Sequence, residues 1–177
     1  MSLHRRQILS ALLLSPLLVP LAGCGFEPLY GSDGAAAQLR GQVRVTAIDG
    51  RDGYFLRERL LQRFGRPAAD APLTLSVTLV TEAEALAIRQ GNDVSRYNLS
   101  GVALIALRRS GVAEPILLDE VSGDASYNAP SSVPPAPPNA SDVAARAAEQ
   151  DAGRRLAQYL AEQIADRVLI ASEQLSQ

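Results

Sequence analysis

From residue 42 onward the chain moves between two apolar rhythms. Gln42 to Ile48 sets Val43, Val45 and Ala47 against Arg44 and Thr46, the period of two expected of a strand with one covered face. Tyr54 to Phe64 changes to helical spacing. Phe55, Leu56, Leu60 and Phe64 fall toward one side, and Arg57, Glu58 and Arg63 toward the other. The preceding Asp49-Gly50-Arg51-Asp52-Gly53 predicts a turn with Asp52 as the helix cap, while Gly65 and Pro67 predict its end. Leu73, Leu75, Val77 and Leu79 then alternate with Thr74, Ser76 and Thr78 in a strand that continues toward Arg89, before a turn at Gln90-Gly91-Asn92-Asp93. Ser95 to Arg109 forms a third strand, with Tyr97, Leu99, Gly101, Ala103, Ile105 and Leu107 on one face. Val102 and Leu104 on its other face predict a middle covered on both sides. Ile116 and Leu118 begin a fourth strand, but Val121, Gly123, Ala125 and Tyr127 keep the opposite parity. A β-bulge at Asp119-Glu120 would bring both sets to one face.

Five of the eleven prolines fall between Asn128 and Ala140, which reads as a loop. Ser141 is placed to cap the helix that follows, in which Leu156, Leu160, Ile164, Val168 and Leu175 recur at helical spacing. The order βαβββα predicts an α+β fold: a four-stranded mixed sheet with two helices packed on one face. The helix between strands one and two implies a parallel pair, and the later strands join as antiparallel hairpins. Leu56, Leu60, Leu75, Val77, Leu79, Leu99, Ile105, Leu118, Leu156, Leu160 and Ile164 are the expected core. Residues 42–172 thus form one domain with a Pro-rich loop at 128–140, and 173–177 a frayed tail. Residues 24–41, with Gly31-Ser32-Asp33-Gly34 and an alanine run, read as a tether.

The segment before the tether follows neither rhythm. Arg5 and Arg6 precede an apolar run from Ile8 to Ala22, broken by Ser10, Ser15, Pro16 and Pro20 and shorter than the about 20 residues of a spanning helix. A basic start, a short apolar middle and a small-residue exit are the layout of a secretory signal peptide over residues 1–23. Two prolines argue against a buried core helix. The exit Leu21-Ala22-Gly23-Cys24 resembles the bacterial lipobox, which implies a lipid thioether on Cys24 and cleavage before it. Acylation of the new amino group would add further chains, and two or more acyl chains anchor firmly where one does not. Gly25, in place of an aspartate, points to the outer membrane by the bacterial sorting rule. Arg5-Arg6 also fits twin-arginine export, but the general secretion route is the expected one.

Charge and chemistry narrow the function. Loss of Arg5 and Arg6 with the signal peptide moves the formal charge from −2 to −4, and no basic excess calls for nucleic acid. Cys24 is the only cysteine, and the only histidine, His4, leaves with the signal peptide. Cys/His zinc sites and His-based triads are thereby excluded from the mature chain. Glu82-Ala83-Glu84 puts two carboxylates on one strand face, a metal or acid/base pair in principle and a solvated edge more simply. Asp49-Gly50-Arg51-Asp52-Gly53 lacks the ligand run and distal glutamate of an EF-hand. The expectation is a binding or assembly protein, not an enzyme, without metal or cofactor.

Three segments together carry a family resemblance: CGFEPLYG at 24–31, IDGRDGYFLRERL at 48–60 and AEQDAGRRLAQYLAEQI at 148–164. With SRYNLSGVALIALRR and LLDEVSGDASYN in the same order, the chain resembles the LPS-assembly lipoprotein LptE family over nearly its whole mature length. The resemblance implies a lipoprotein held in the outer membrane through Cys24, its domain in the periplasm or within a barrel lumen. It further implies assembly with the LptD β-barrel as its plug, and assistance to lipopolysaccharide on its way to the outer leaflet. Another envelope lipoprotein, such as an auxiliary subunit of a lipid-transport system, is the alternative.

All seventeen basic residues are arginines. Genome composition explains that usage, yet arginine's planar fork also suits the phosphates of lipid A. Arg89 and Arg96 flank a hairpin turn with Tyr97 beside them, and these three are the candidate lipopolysaccharide site. Arg108 and Arg109 close the strand at its other end. Solvated strand ends are the simpler account of all four arginines, and a core ring that of Tyr97.

Overall fold

The computed structural model of the chain describes residues 34–88, 94–128 and 138–176. Cys24, Arg89 and the turn at 90–93 lie outside the described residues. The elements run α1 (Ala35–Gln38), β1 (Val43–Val45), α2 (Gly50–Phe64), β2 (Leu73–Ile88), β3 (Val94–Arg109), β4 (Pro115–Asn128) and α3 (Pro138–Ser176). The sheet order is β1-β2-β3-β4, with β1 parallel to β2 and the remaining pairs antiparallel. Both long helices pack on one face, as the alternation of the strands requires.

β1 is shorter than the alternation predicts. Thr46 N–H still reaches Leu75 O at 3.0 Å, but Ile48 then turns into the core against Gly53. α2 accordingly starts at Gly50, and Asp49 occupies its N-cap position without a side-chain capping bond. Asp52 is therefore not the cap; it sits in the first turn, where a carboxylate suits the helix dipole. Gly53, Leu56, Leu60 and Phe64 form the buried stripe. The helix stops where expected, because Gly65 takes φ 78° and returns its N–H to Leu61 O.

The core begins before residue 42. Leu39, inside the segment read as a tether, is 7% exposed and joins the same cluster as Val43 and Phe64. β4 carries no bulge at Asp119-Glu120. Its pairing is continuous from Leu104↔Glu120 to Leu107↔Leu117, and the register shifts only between Leu107 and Arg108, where Arg108 faces Pro115. Unbroken alternation puts Leu118 on the face away from the helices, 74% exposed, so it is not a core residue. Asp119 points the other way and accepts a 2.6 Å bond from Arg167 of α3.

α3 opens at Pro138, whose missing N–H costs nothing in a first turn, so Ser141 lies inside the helix and not at its cap. It also runs past Ser172 to Ser176, through the segment the sequence reads as a frayed tail. Leu156, Leu160, Ile164 and Val168 are each at most 1% exposed, interleaved with buried Ala152, Ala157, Ala161 and Ala165. These small residues let α3 lie close to its neighbours. α2 runs parallel beside it, joined by Arg59 and Arg63 to Glu162 at 2.6 and 3.1 Å and by Arg63 to Asp166 at 3.8 Å. The pairs are partly exposed and each adds at most about 1 kcal/mol. They fix which helix flank meets which.

Candidate functional site

With both helices on one face of the sheet, no described element covers the other. Up to Glu84 in β2, along β3, and from Leu118 in β4, the even-numbered positions point there. Val80 and Val102 are direct cross-strand partners, Leu104 follows on β3, and Leu118 pairs with Ala106 in the next row. Val80, Val102, Leu104 and Leu118 are 63%, 36%, 50% and 74% exposed. The expectation that Val102 and Leu104 would be covered is thus overturned: two helices cannot serve both faces. The result is a diagonal apolar strip across three strands, and such contiguous exposure marks contact surfaces better than scattered residues do.

Acidic groups border the strip on one side. Glu82, Ser100 and Asp124 form one row across β2, β3 and β4, with Glu84 in the next. Glu120 lies beside Leu104. Glu82 and Glu84 are exposed, consistent with a solvated face, and no metal-capable group of three His, Cys, Asp or Glu residues occurs among the described residues. Arg44 and Arg108 stand at the opposite end of the face. Arg108 Nε donates to Ala113 O at 3.1 Å, so that arginine serves its own turn.

The candidate site at the β2–β3 hairpin divides. Arg96 is exposed and faces Asn128 across the ladder. Tyr97, one residue on, points to the helix side, because side chains alternate along a strand. There it stacks on Tyr127, with ring centroids 5.3 Å apart and planes 13° off parallel. The structure therefore does not bring Arg96 and Tyr97 to one surface. The Tyr127 phenol is held above its ordinary pKa, first by burial, then by the Glu149 carboxylate and Tyr97. α3 reaches this end too, where Arg155 Nη2 donates to Ser126 O at 3.2 Å. The Asp49-to-Gly53 stretch is the entry to α2, not a ligand loop.

A small mixed sheet with two helices packed on one face is a fold shared with solved bacterial lipoproteins. The crystal structure of a Caulobacter crescentus protein described as a lipoprotein superposes with a TM-score of 0.55 at 24% identity, covering 79% of this chain and 96% of the other. The solution structure of lipoprotein B from Nitrosomonas europaea gives a TM-score of 0.51 at 14% identity, over 74% of this chain and 82% of that one. No curated protein matches the sequence. The family model LptE, lipopolysaccharide-assembly, matches residues 40–168, and the chain belongs to that family. No helix among the described residues is long and apolar enough to cross a membrane.

Proposed function

We propose that the protein is an outer-membrane lipoprotein, acylated on Cys24, that assembles with the LptD β-barrel as its plug and assists lipopolysaccharide toward the outer leaflet. Membership of the lipopolysaccharide-assembly family supports the process. The observation that carries the partner role is the uncovered strip of Val80, Val102, Leu104 and Leu118. A plug must offer a folded, partly apolar surface to a barrel wall, and here β2, β3 and β4 are paired side by side beneath the strip. In this reading Arg89 and Arg96 contact lipopolysaccharide phosphates at the hairpin end, while Tyr97 stacks on Tyr127 on the opposite face and holds β3 to β4.

The test is co-purification of the tagged lipoprotein in mild detergent, with co-eluting barrels identified by mass. LptD should co-elute with the parent chain. Leu104→Asp with Leu118→Asp should abolish co-elution while leaving circular dichroism unchanged, since neither side chain is in the core. A parent that carries no barrel refutes the function, and full retention by the double variant refutes the face. Cys24→Ala should accumulate as unprocessed precursor; normal processing of that variant would remove the anchor from the proposal.

A further inference from the structure

The corner where the chain enters the fold holds chemistry that the sheet face does not use. α2 buries Leu56, Leu60 and Phe64, and turns Arg59 and Arg63 toward α3. That leaves Arg57, Glu58, Leu61 and Gln62 on its outer flank. The loop after Gly65 folds back along this flank, held by Gly41 N–H to Phe64 O at 2.7 Å and Ala68 N–H to Gly41 O at 2.8 Å. Between flank and loop lies an open cleft of about 470 Å³, completed by Arg66 and Pro67.

Two features of the cleft point to an anion. Arg57 lines the cleft, and its buried Nε has no hydrogen-bond partner among the described residues. Neither Arg57 nor Arg66 forms an ion pair among the described residues, and Glu58 is the only acid in the lining. Around the cleft the balance is also positive. Arg40 precedes Gly41, and Arg44 Nη2 reaches Ala68 O and Ala69 O at 3.2 and 2.9 Å. This arginine-rich corner belongs to a chain whose formal charge is negative.

We propose that the cleft binds the phosphate of an anionic phospholipid headgroup, with Arg57 and Arg66 on its oxygens and Leu61 and Pro67 against the glycerol. Two guanidinium forks match a phosphate diester. Position selects a lipid over a free anion, and this step rests on the lipid-anchored reading above. Gly34 follows Cys24 by ten residues, a span of at most about 35 Å, so the entry corner stays within reach of the leaflet that holds the acyl chains. Docked there, the headgroup would fix the orientation of the domain relative to its anchor.

Calorimetric titration of the intact lipoprotein in a nonionic detergent tests this. The probes are dihexanoyl phosphatidylglycerol, dihexanoyl phosphatidylcholine and inorganic phosphate. Phosphatidylglycerol should bind, about tenfold or more tightly than the other two, and less tightly as salt rises. Arg57→Gln with Arg66→Gln should weaken that binding about tenfold or more, as loss of charge-assisted bonds does. Arg146→Gln, which removes an exposed arginine on α3, should leave it unchanged. Should the double variant fail to fold, Arg66→Gln alone, at an exposed side chain, carries the same test. Parent-like binding by the variants overturns the site. Inorganic phosphate binding as tightly as phosphatidylglycerol overturns the lipid assignment. Mass analysis of the amino-terminal peptide reads the anchor separately: an unmodified Cys24 with arginine-dependent binding intact would overturn the anchor and leave the cleft standing.

Discussion

Gly101 and Gly123 face each other across β3 and β4, directly beneath α3. A methyl added at Gly101 would stand 3.0 Å from Leu156 Cδ2 and 3.3 Å from Leu160 Cδ1. One added at Gly123 would stand closer still, 2.7 Å from Tyr159 Cδ1 and Cε1. Distance alone ranks Gly123→Ala as the worse change. Freedom to yield reverses the order. Leu156 and Leu160 are 1% and 0% exposed and have nowhere to move, whereas the Tyr159 ring is 51% exposed and can swing into solvent. Overpacking a core costs about 1–3 kcal/mol, and replacing glycine recovers about 0.4–1 kcal/mol by restricting the unfolded chain. Gly101→Ala should therefore destabilise by about 1–2 kcal/mol, and Gly123→Ala by about 0.5 kcal/mol or less. Urea unfolding followed by circular dichroism would show this as a lower midpoint at unchanged slope. In thermal unfolding, each kcal/mol amounts to a shift of about 2–4 °C for a chain of this size. Leu156→Ala should cost less in the Gly101→Ala background than in the parent, since it vacates the space the methyl needs. Strict additivity of that pair, or a larger loss for Gly123→Ala than for Gly101→Ala, would refute the reasoning.

Leu160→Ala should cost about 2–5 kcal/mol in the same titration, because its side chain is fully buried; a change below about 0.5 kcal/mol would mean α3 is not docked as described. Tyr127 binds its proton more tightly folded than unfolded, so the stability it contributes is intact below pH 10 and is lost as pH rises through its raised pKa. Tyr127→Phe should flatten that alkaline fall, and an unchanged slope would exclude Tyr127 as its source. Replacing Arg89 and Arg96 together with glutamate should weaken lipopolysaccharide binding about tenfold or more, in line with a charge-assisted bond of about 1.5–3 kcal/mol. Tyr97→Ala should leave that binding in place and instead lower stability by more than about 0.5–1.5 kcal/mol, since the worth of the stack with Tyr127 adds to the buried area lost; the opposite pattern would return Tyr97 to the binding surface.

What the sequence revealed follows from where one face dominates. α2, β2 and the buried stripe of α3 show their periods clearly because one side of each is in the core, and the C-terminal glycine of α2 is a local signal with a local cause. The sequence misleads where an apolar residue is exposed. Val102, Leu104 and Leu118 are such residues, which is why β3 reads as covered on both faces and β4 as bulged when neither is. Strict alternation is the better guide: through β4 it gives the free strip, and along β3 it separates Arg96 from Tyr97. The cleft at Arg57 and Arg66 carried no sequence signal. It depends on the loop after Gly65 returning to Gly41, a contact no local pattern encodes.

α3 supplies Leu156, Leu160, Ile164 and Val168 to a core whose other half comes from strands some fifty residues earlier, as Gly101 against Leu156 shows. Until that helix has emerged, the inner face of the sheet has only α2 to cover it, and a sheet so exposed cannot hold a compact state. Docking of α3 must therefore close contacts distant in sequence, which are slow to form. A chain whose core is incomplete until its last helix arrives keeps apolar surface uncovered for longer than one built of local contacts.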